Sequence, residues 1–275
     1  MAITASLVNE LRKKTGAGMM DCKKALVETD GDMEAAIDVL RKKGQKVAAK
    51  RGDNEAKEGA IFATAENGVG YMLQLNCETD FVSKNEEFRT FVQNILKVAV
   101  ENGASSIEAL KALPYDDKLS VEEKITEQIG VIGEKLDLSN FVKLEGPAVV
   151  AYNHPGNQLA TLVALNQGSE AIEEAGRQVA MQVAAMNPIA VNKDGVDQET
   201  IQREIEVGKE LAIQEGKPAD MAEKIAEGRL GKFFKENTLL SQPFVRDNKL
   251  SVEQFLSSTA SGLTVTEFKR FSLSL

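Results

Sequence analysis

The 275-residue sequence has no tryptophan, a single histidine, two cysteines and six prolines, and only 5% of it is aromatic. Each scarcity excludes something. Cys22 and Cys77 lie far apart in different predicted units, which suits free thiols in a reducing compartment better than a disulfide framework. A single His154 and two scattered cysteines leave no obvious structural zinc cluster. No apolar run approaches the roughly 20 residues that span a bilayer. The start, Met1-Ala2-Ile3-Thr4-Ala5-Ser6, lacks the basic and apolar regions of a secretion signal, so a cytoplasmic protein without a membrane partner is expected. Nowhere does Gly, four residues and Gly-Lys-Ser/Thr occur, so tight nucleotide binding by this chain is not expected.

What is present is 43% hydrophobic and 27% charged sequence, globular in composition and long enough for about two domains. The net charge of −9 is uneven. Residues 1–57 carry twelve Lys or Arg against nine Asp or Glu, a net +3, which leaves −12 on the rest. An acidic bulk argues against nucleic acid as the main partner, since phosphate binding needs a basic face. The basic start suits RNA, an acidic protein surface or plain solvation.

The pattern along the chain predicts an α+β protein. Residues 1–52 read as three short helices: one capped by Thr4, a second over Met19–Val27, and a third capped by Asp32 and stopped by Gly44. Lys46–Glu58 is polar and charged, with residues 53–58 as the linker. Residues 59–140 hold a hairpin followed by helices, one of them opened by the capping box at Ser120–Glu123. Residues 141–190 repeat hairpin and helix, and 238–275 return to close the second sheet through the alternating run Leu263–Phe271. Between them, 191–237 form an inserted αα-hairpin joined by Gly216-Lys217-Pro218. Its apolar stripe is narrow, so it can project and pair with a second copy of itself as a homodimer.

The segment Leu75-Asn76-Cys77-Glu78-Thr79-Asp80-Phe81-Val82-Ser83-Lys84 joins a predicted strand to a predicted helix and places a large aromatic in the connection. Phe81 and Val82 plug either this protein's own core or a partner's surface; composition alone favours the core. The second hairpin-helix copy makes the same crossing with Gln167-Gly168-Ser169-Glu170 and no aromatic. Thr79 to Val82 therefore read as an addition. Catalytic readings fail on local chemistry: Cys77 has acidic neighbours, which oppose a thiolate, and Glu78, Asp80 and Glu86 match no metal-loop spacing. His154, beside the second hairpin turn, reads as a surface polar contact. The consecutive methionines Met19 and Met20 are either adaptable contact residues or caps on the three-helix core.

Two long motifs, Leu11-Arg12-Lys13-Lys14-Thr15-Gly16-Ala17-Gly18-Met19-Met20-Asp21-Cys22-Lys23-Lys24-Ala25-Leu26 and the segment around Thr79-Asp80-Phe81-Val82, resemble bacterial elongation factor Ts, the guanine-nucleotide exchange factor of the translational GTPase elongation factor Tu. The likeness runs through nearly the whole chain. It implies a non-enzymatic translation factor without a cofactor or bound metal, with a small N-terminal domain of the ubiquitin-associated-like (UBA-like) type and a core of two repeated α+β subdomains with antiparallel sheets. The resemblance implies that Thr79, Asp80, Phe81 and Val82 form a loop that dislocates the GTPase's magnesium, Phe81 entering an apolar slot and Asp80 disturbing the metal's shell. Arg12, Met19, Met20 and Lys23 would grip the GTPase, with further contacts at His154, Phe244 and Val245. Arg246 follows where the family commonly has an apolar residue, and the family often continues into a further helix where this sequence ends at Leu275. The alternative is an RNA-associated or ribosome-associated module using the basic N-terminal domain.

Overall fold

A computed structural model describes residues 3–273; the readings that rest on Met1, Ala2 and Leu275 lie outside the described residues. The chain opens with α1 (Ala5–Thr15), α2 (Met19–Glu28) and α3 (Met33–Arg51). Thr4 Oγ1 accepts from Leu7 N at 3.2 Å and Asp32 Oδ1 from Ala35 N at 3.0 Å, so both side chains satisfy amides that a helix start leaves free. Val8, Leu11, Cys22, Leu26 and Ala36 form the bundle's own core. The expected stop at Gly44 does not occur, and α3 runs on to Arg51.

Strands β1 (Glu58–Glu66) and β2 (Val69–Cys77) form an antiparallel hairpin. A single helical turn, α4 (Asp80–Ser83), follows at once, then α5 (Glu86–Glu101), α6 (Ile107–Ala112) and α7 (Val121–Ile132), whose capping box at Ser120 and Glu123 is formed. The reason α3 passes Gly44 lies in α7: a Cβ on Gly130 would stand 2.4 Å from Gly44 Cα, so the two helices cross backbone to backbone. Glycine at this crossing is a packing device rather than a terminator.

β3 (Asp137–Glu145) then pairs with β2, giving the order β1-β2-β3. The sequence pattern hid this strand, since its Lys, Asn, Ser and Glu residues face solvent between a few inward apolar ones; the first sheet extends past the expected boundary at 140/141 to Glu145. The second sheet is β4 (Ala148–Asn153), β5 (Leu159–Leu165) and a final strand, with α8 (Glu170–Met186) against it. α9 (Gln198–Gln214) and α10 (Ala219–Asn237) pair as a hairpin, and β6 (Pro243–Phe244), β7 (Asp247–Ser251), α11 (Val252–Thr259) and β8 (Val265–Ser272) complete the order β4-β5-β8 and a small two-stranded sheet.

The two large sheets pack face to face through Ile61, Met72, Leu144, Val149 and Leu162. Alternate residues point outward to helices: Phe62, Leu73 and Leu75 meet α5 and α7, while Val163 and Leu165 meet α8 and α11. Both sheets are thus covered on two sides, so β2 and β5 are buried almost throughout rather than alternately. Each large apolar side chain fully removed from water stabilises by about 1.5–3 kcal/mol, and this double coverage makes the end of β2 a rigid base. No helix among the described residues is long and apolar enough to cross a membrane.

Candidate functional site

The segment from Leu75 to Lys84 leaves the buried sheet and becomes a helix of one turn. Leu75 and Cys77 are buried in the first core. Burial, then the nearby Glu134 and Glu58 carboxylates, push the Cys77 thiol up to about 12, so at neutral pH it is a small buried hydrophobe and not a nucleophile. From Thr79 the chain turns: its Oγ1 accepts from Val82 N at 3.4 Å as the N-cap of α4. Val82 packs on the core below. Phe81 does not: it is 84% exposed, the opposite of the core plug that composition favoured. Covering that ring with its own protein would need α4 to roll, and the anchors around it oppose a roll.

Those anchors were invisible in the sequence. The Glu134 carboxylate accepts from Glu78 N at 3.1 Å, Thr79 N at 3.0 Å and Thr79 Oγ1 at 2.7 Å. Glu78 in turn accepts from Lys135 N at 2.6 Å, from Asn54 at 3.0 Å and from the Arg51 guanidinium at 2.8 Å. Burial alone would raise the Glu78 carboxyl, but these donors and the Arg51 charge outweigh it and hold it below the usual range. At the other end of α4, Arg89 donates to Ser83 O at 3.0 Å and to Gly156 O at 3.3 Å. Glu134 and Arg51 lie tens of residues away in unrelated elements, and no local spacing marks them. Asp80 points outward in an ion pair with Lys84 at 2.7 Å, and the hydrogen bond and charge of Lys84 hold its carboxyl low.

Other expected positions fall into three groups. Arg12, Met19 and Val82 line one cleft of about 520 Å³, between the α1–α2 corner, the start of α5 and the end of α7. Two motifs about sixty residues apart in sequence thus meet on one surface. Met19 and Met20 are 55% and 61% exposed, and Lys23 is exposed beside them, so neither methionine caps the bundle core. His154 is exposed on the β4–β5 turn, its Nδ1 2.9 Å from Tyr152 Oη, and Arg89 ties that turn to the end of α4 through Gly156. Phe244 departs from its expected place on the surface. It is 3% exposed and stacks on Phe255 with ring centroids 4.1 Å apart, because its strand lies over α11, so its side chain is core. Val245 and Arg246, next in the chain, are exposed. Among the described residues no cluster of three or more His, Cys, Asp or Glu could hold a metal ion.

An exposed aromatic on an anchored turn, one residue from a cleft that Val82, Met19 and Arg12 line, with no catalytic cluster beside it among the described residues, defines a candidate binding surface. Comparison with known proteins gives the chain a family. The sequence model described as Elongation factor TS matches residues 78–274. The chain is 52% identical over 274 residues to Elongation factor Ts of Christiangramia forsetii, covering 98% of each. It is 51% identical to that of Flavobacterium psychrophilum, again over 98% of each chain. To that of Porphyromonas gingivalis it is 48% identical over 99% of each. The chain belongs to the elongation factor Ts family and is a translation elongation factor.

Proposed function

We propose that the chain binds elongation factor Tu carrying GDP and promotes release of the nucleotide in the cytoplasm, acting as an exchange factor and not as an enzyme. The single observation that carries the reading is Phe81, held almost fully in solvent on a turn tied down at both ends. A single exposed apolar side chain is ordinary on its own, but this one is held out by hydrogen bonds at both ends of its turn, next to the cleft that Val82, Arg12 and Met19 line. Driven into an apolar slot of the GTPase, the ring gains about 1.5–3 kcal/mol, available to hold the partner's elements in a displaced position. Asp80, beside it, would bring a carboxylate towards the region where magnesium and phosphates meet. The cleft and the exposed Arg12, Met19, Met20 and Lys23 would supply affinity, with His154 and Val245 as further contacts.

Thermodynamic linkage sets the requirement. If the chain weakens GDP binding by some factor, GDP weakens binding of the chain by the same factor. The useful interactions are therefore those made only with the nucleotide-free GTPase. The test is release of a fluorescent GDP from loaded elongation factor Tu. The chain should accelerate it, and Phe81→Ala should reduce the acceleration at least about tenfold, the loss of one well-buried aromatic contact, while its thermal melt stays that of the parent. Full exchange activity of Phe81→Ala would sink the wedge reading. A collapsed melt would return Phe81 to a structural role.

A further inference from the structure

The α4 turn is four residues long, far too short to hold its own shape, since isolated helices of fewer than about 12 residues are marginal in water. Its pose must be imposed from outside. Val82 below it fixes a height but leaves rotation about the contact, because one apolar side chain has no directional bonds. Direction comes from hydrogen bonds: at the entry to α4 the Cys77 thiol donates to Thr79 O at 3.3 Å, and one carboxylate takes three further donors. The Glu134 carboxylate meets the Glu78 amide, the Thr79 amide and the Thr79 hydroxyl together. Charged acceptors make the shorter and stronger hydrogen bonds, and here two donors of Thr79 and the amide of Glu78 before it converge on one carboxylate, which restrains how the chain enters α4.

Glu134 is itself held where it is for a reason. α7 ends at Gly133 in the left-handed conformation (φ 82°), which turns the chain sharply and delivers the next side chain to the end of β2. The last residues before that turn, Val131 and Ile132, line the cleft shared with Arg12 and Met19. The wall of the cleft and the anchor of the projecting aromatic are thus neighbours in one short stretch of chain. We propose that Glu134 is the positioning residue of this protein: by holding the Glu78 amide and the Thr79 amide and hydroxyl, it sets the orientation of Phe81. The proposal rests on the exchange reading for its functional half, while its structural half stands without it.

Two measurements test it, one independent of activity. The sequence has no tryptophan, so Phe81→Trp provides a unique reporter whose time-resolved anisotropy measures motion of α4. Adding Glu134→Ala should raise the amplitude of nanosecond depolarisation about twofold, the scale of an anchored turn becoming a loose loop. Glu134→Gln, which keeps an acceptor oxygen, should restore much of the order. In the Phe81 background, Glu134→Ala should lower the maximal GDP release rate about tenfold, as misplacement of a working group does, with the half-saturating concentration changing less than about twofold.

Unchanged anisotropy of the Phe81→Trp reporter on adding Glu134→Ala would overturn the positioning role. So would a defect confined to the half-saturating concentration, or one that Glu134→Gln shares in full. If the parent chain does not release GDP at all, the exchange reading fails while the anisotropy still decides the anchor; if the parent is active and Glu134→Ala matches it, only the anchor fails. Should Glu134→Ala melt below the assay temperature, Thr79→Val, which removes one of the three donors, replaces it, with Glu134→Gln as the variant that keeps its order. Unchanged anisotropy in Thr79→Val would overturn the proposal.

Discussion

The chain passes from strand to helix twice, and the two crossings differ in what they leave uncovered. At the second, between β5 and α8, Asn166 donates through Nδ2 to Gly262 O at 2.9 Å and accepts Thr264 N on Oδ1 at 2.9 Å. Gln167 donates to Ser261 O at 3.0 Å, and Ser169 caps α8. Every one of these bonds closes within the same half of the molecule, and no large apolar side chain projects. At the first crossing the anchoring is at least as dense, yet its product is Phe81 in solvent. A strand-to-helix connection therefore needs hydrogen bonds but not an exposed ring, and the ring needs a reason of its own. Four sets of variants separate the two crossings.

The largest effects belong to what the crossings share. Leu75 and Leu165 are completely buried at matching strand ends, and truncating either to Ala should cost about 2–5 kcal/mol in urea denaturation. Phe81→Ala, exposed, should stay within about 0.5 kcal/mol. A loss above about 1.5 kcal/mol for Phe81→Ala would mean that the ring packs on its own protein in solution.

Next come the anchors. Thr79→Ala removes the N-cap of α4 and one bond to Glu134, worth about 1–2 kcal/mol. Asn166→Ala removes a comparable set at the second crossing and should cost about 1–3 kcal/mol. The two should separate in function: Thr79→Ala should slow GDP release about tenfold, Asn166→Ala hardly at all. Equal functional losses would show that exchange follows stability rather than the pose of α4.

The separation between legible and illegible parts follows the range of the interactions. Caps at Thr4, Asp32 and Ser120 act over three residues, so the sequence displays them as spacing. The antiparallel hairpin of β1 and β2, and the strand character of the Leu263–Phe271 run, are local too. Gly44 misled because a helical glycine reads as a stop unless its partner, Gly130, is known. β3 was hidden by its polar outer residues, and Phe244 by the stacking of Phe255. At the site, the motif residues Arg12, Met19 and Val82 were readable, but their meeting in one cleft was not. Glu134 was beyond reach altogether, since it touches Thr79 across 55 positions of sequence.

A third difference is chemical. The first crossing contains Cys77, and burial pushes its thiol up to about 12. A thiol raised in the folded state binds its proton more tightly there than in the unfolded chain, where it titrates near the ordinary value of 9.0. Between those values the unfolded state loses protons first, so this group's contribution falls as pH rises from about 9 to 12 and is neutral below 9. Cys77→Ala should flatten the alkaline limb of a stability profile taken across that range. At pH 8 a disulfide reagent should modify Cys77 only as fast as the chain unfolds; fast labelling in the native state would show the end of β2 to be open.

The smallest effect isolates Asp80 from Phe81. Asp80 and Lys84 form an exposed pair at 2.7 Å, and exposed pairs contribute little to stability. The carboxyl is held low, so the pair's contribution is present above the ordinary aspartate value and is lost as pH falls through the folded one. The ammonium is held high, so the contribution lasts until the solution passes the ordinary lysine range, and neutral pH lies inside the window. Lys84→Ala should therefore leave the neutral melting temperature unchanged within error. It does, however, unmask the Asp80 charge on the tip of α4. If Asp80 acts on the partner's metal shell, freeing it should raise GDP release about twofold at low salt, and the gain should vanish near 1 M salt, where the screening length falls to about 3 Å. A drop in exchange at every salt concentration would instead give Lys84 the contact with the partner and leave Phe81 to act without an acidic neighbour.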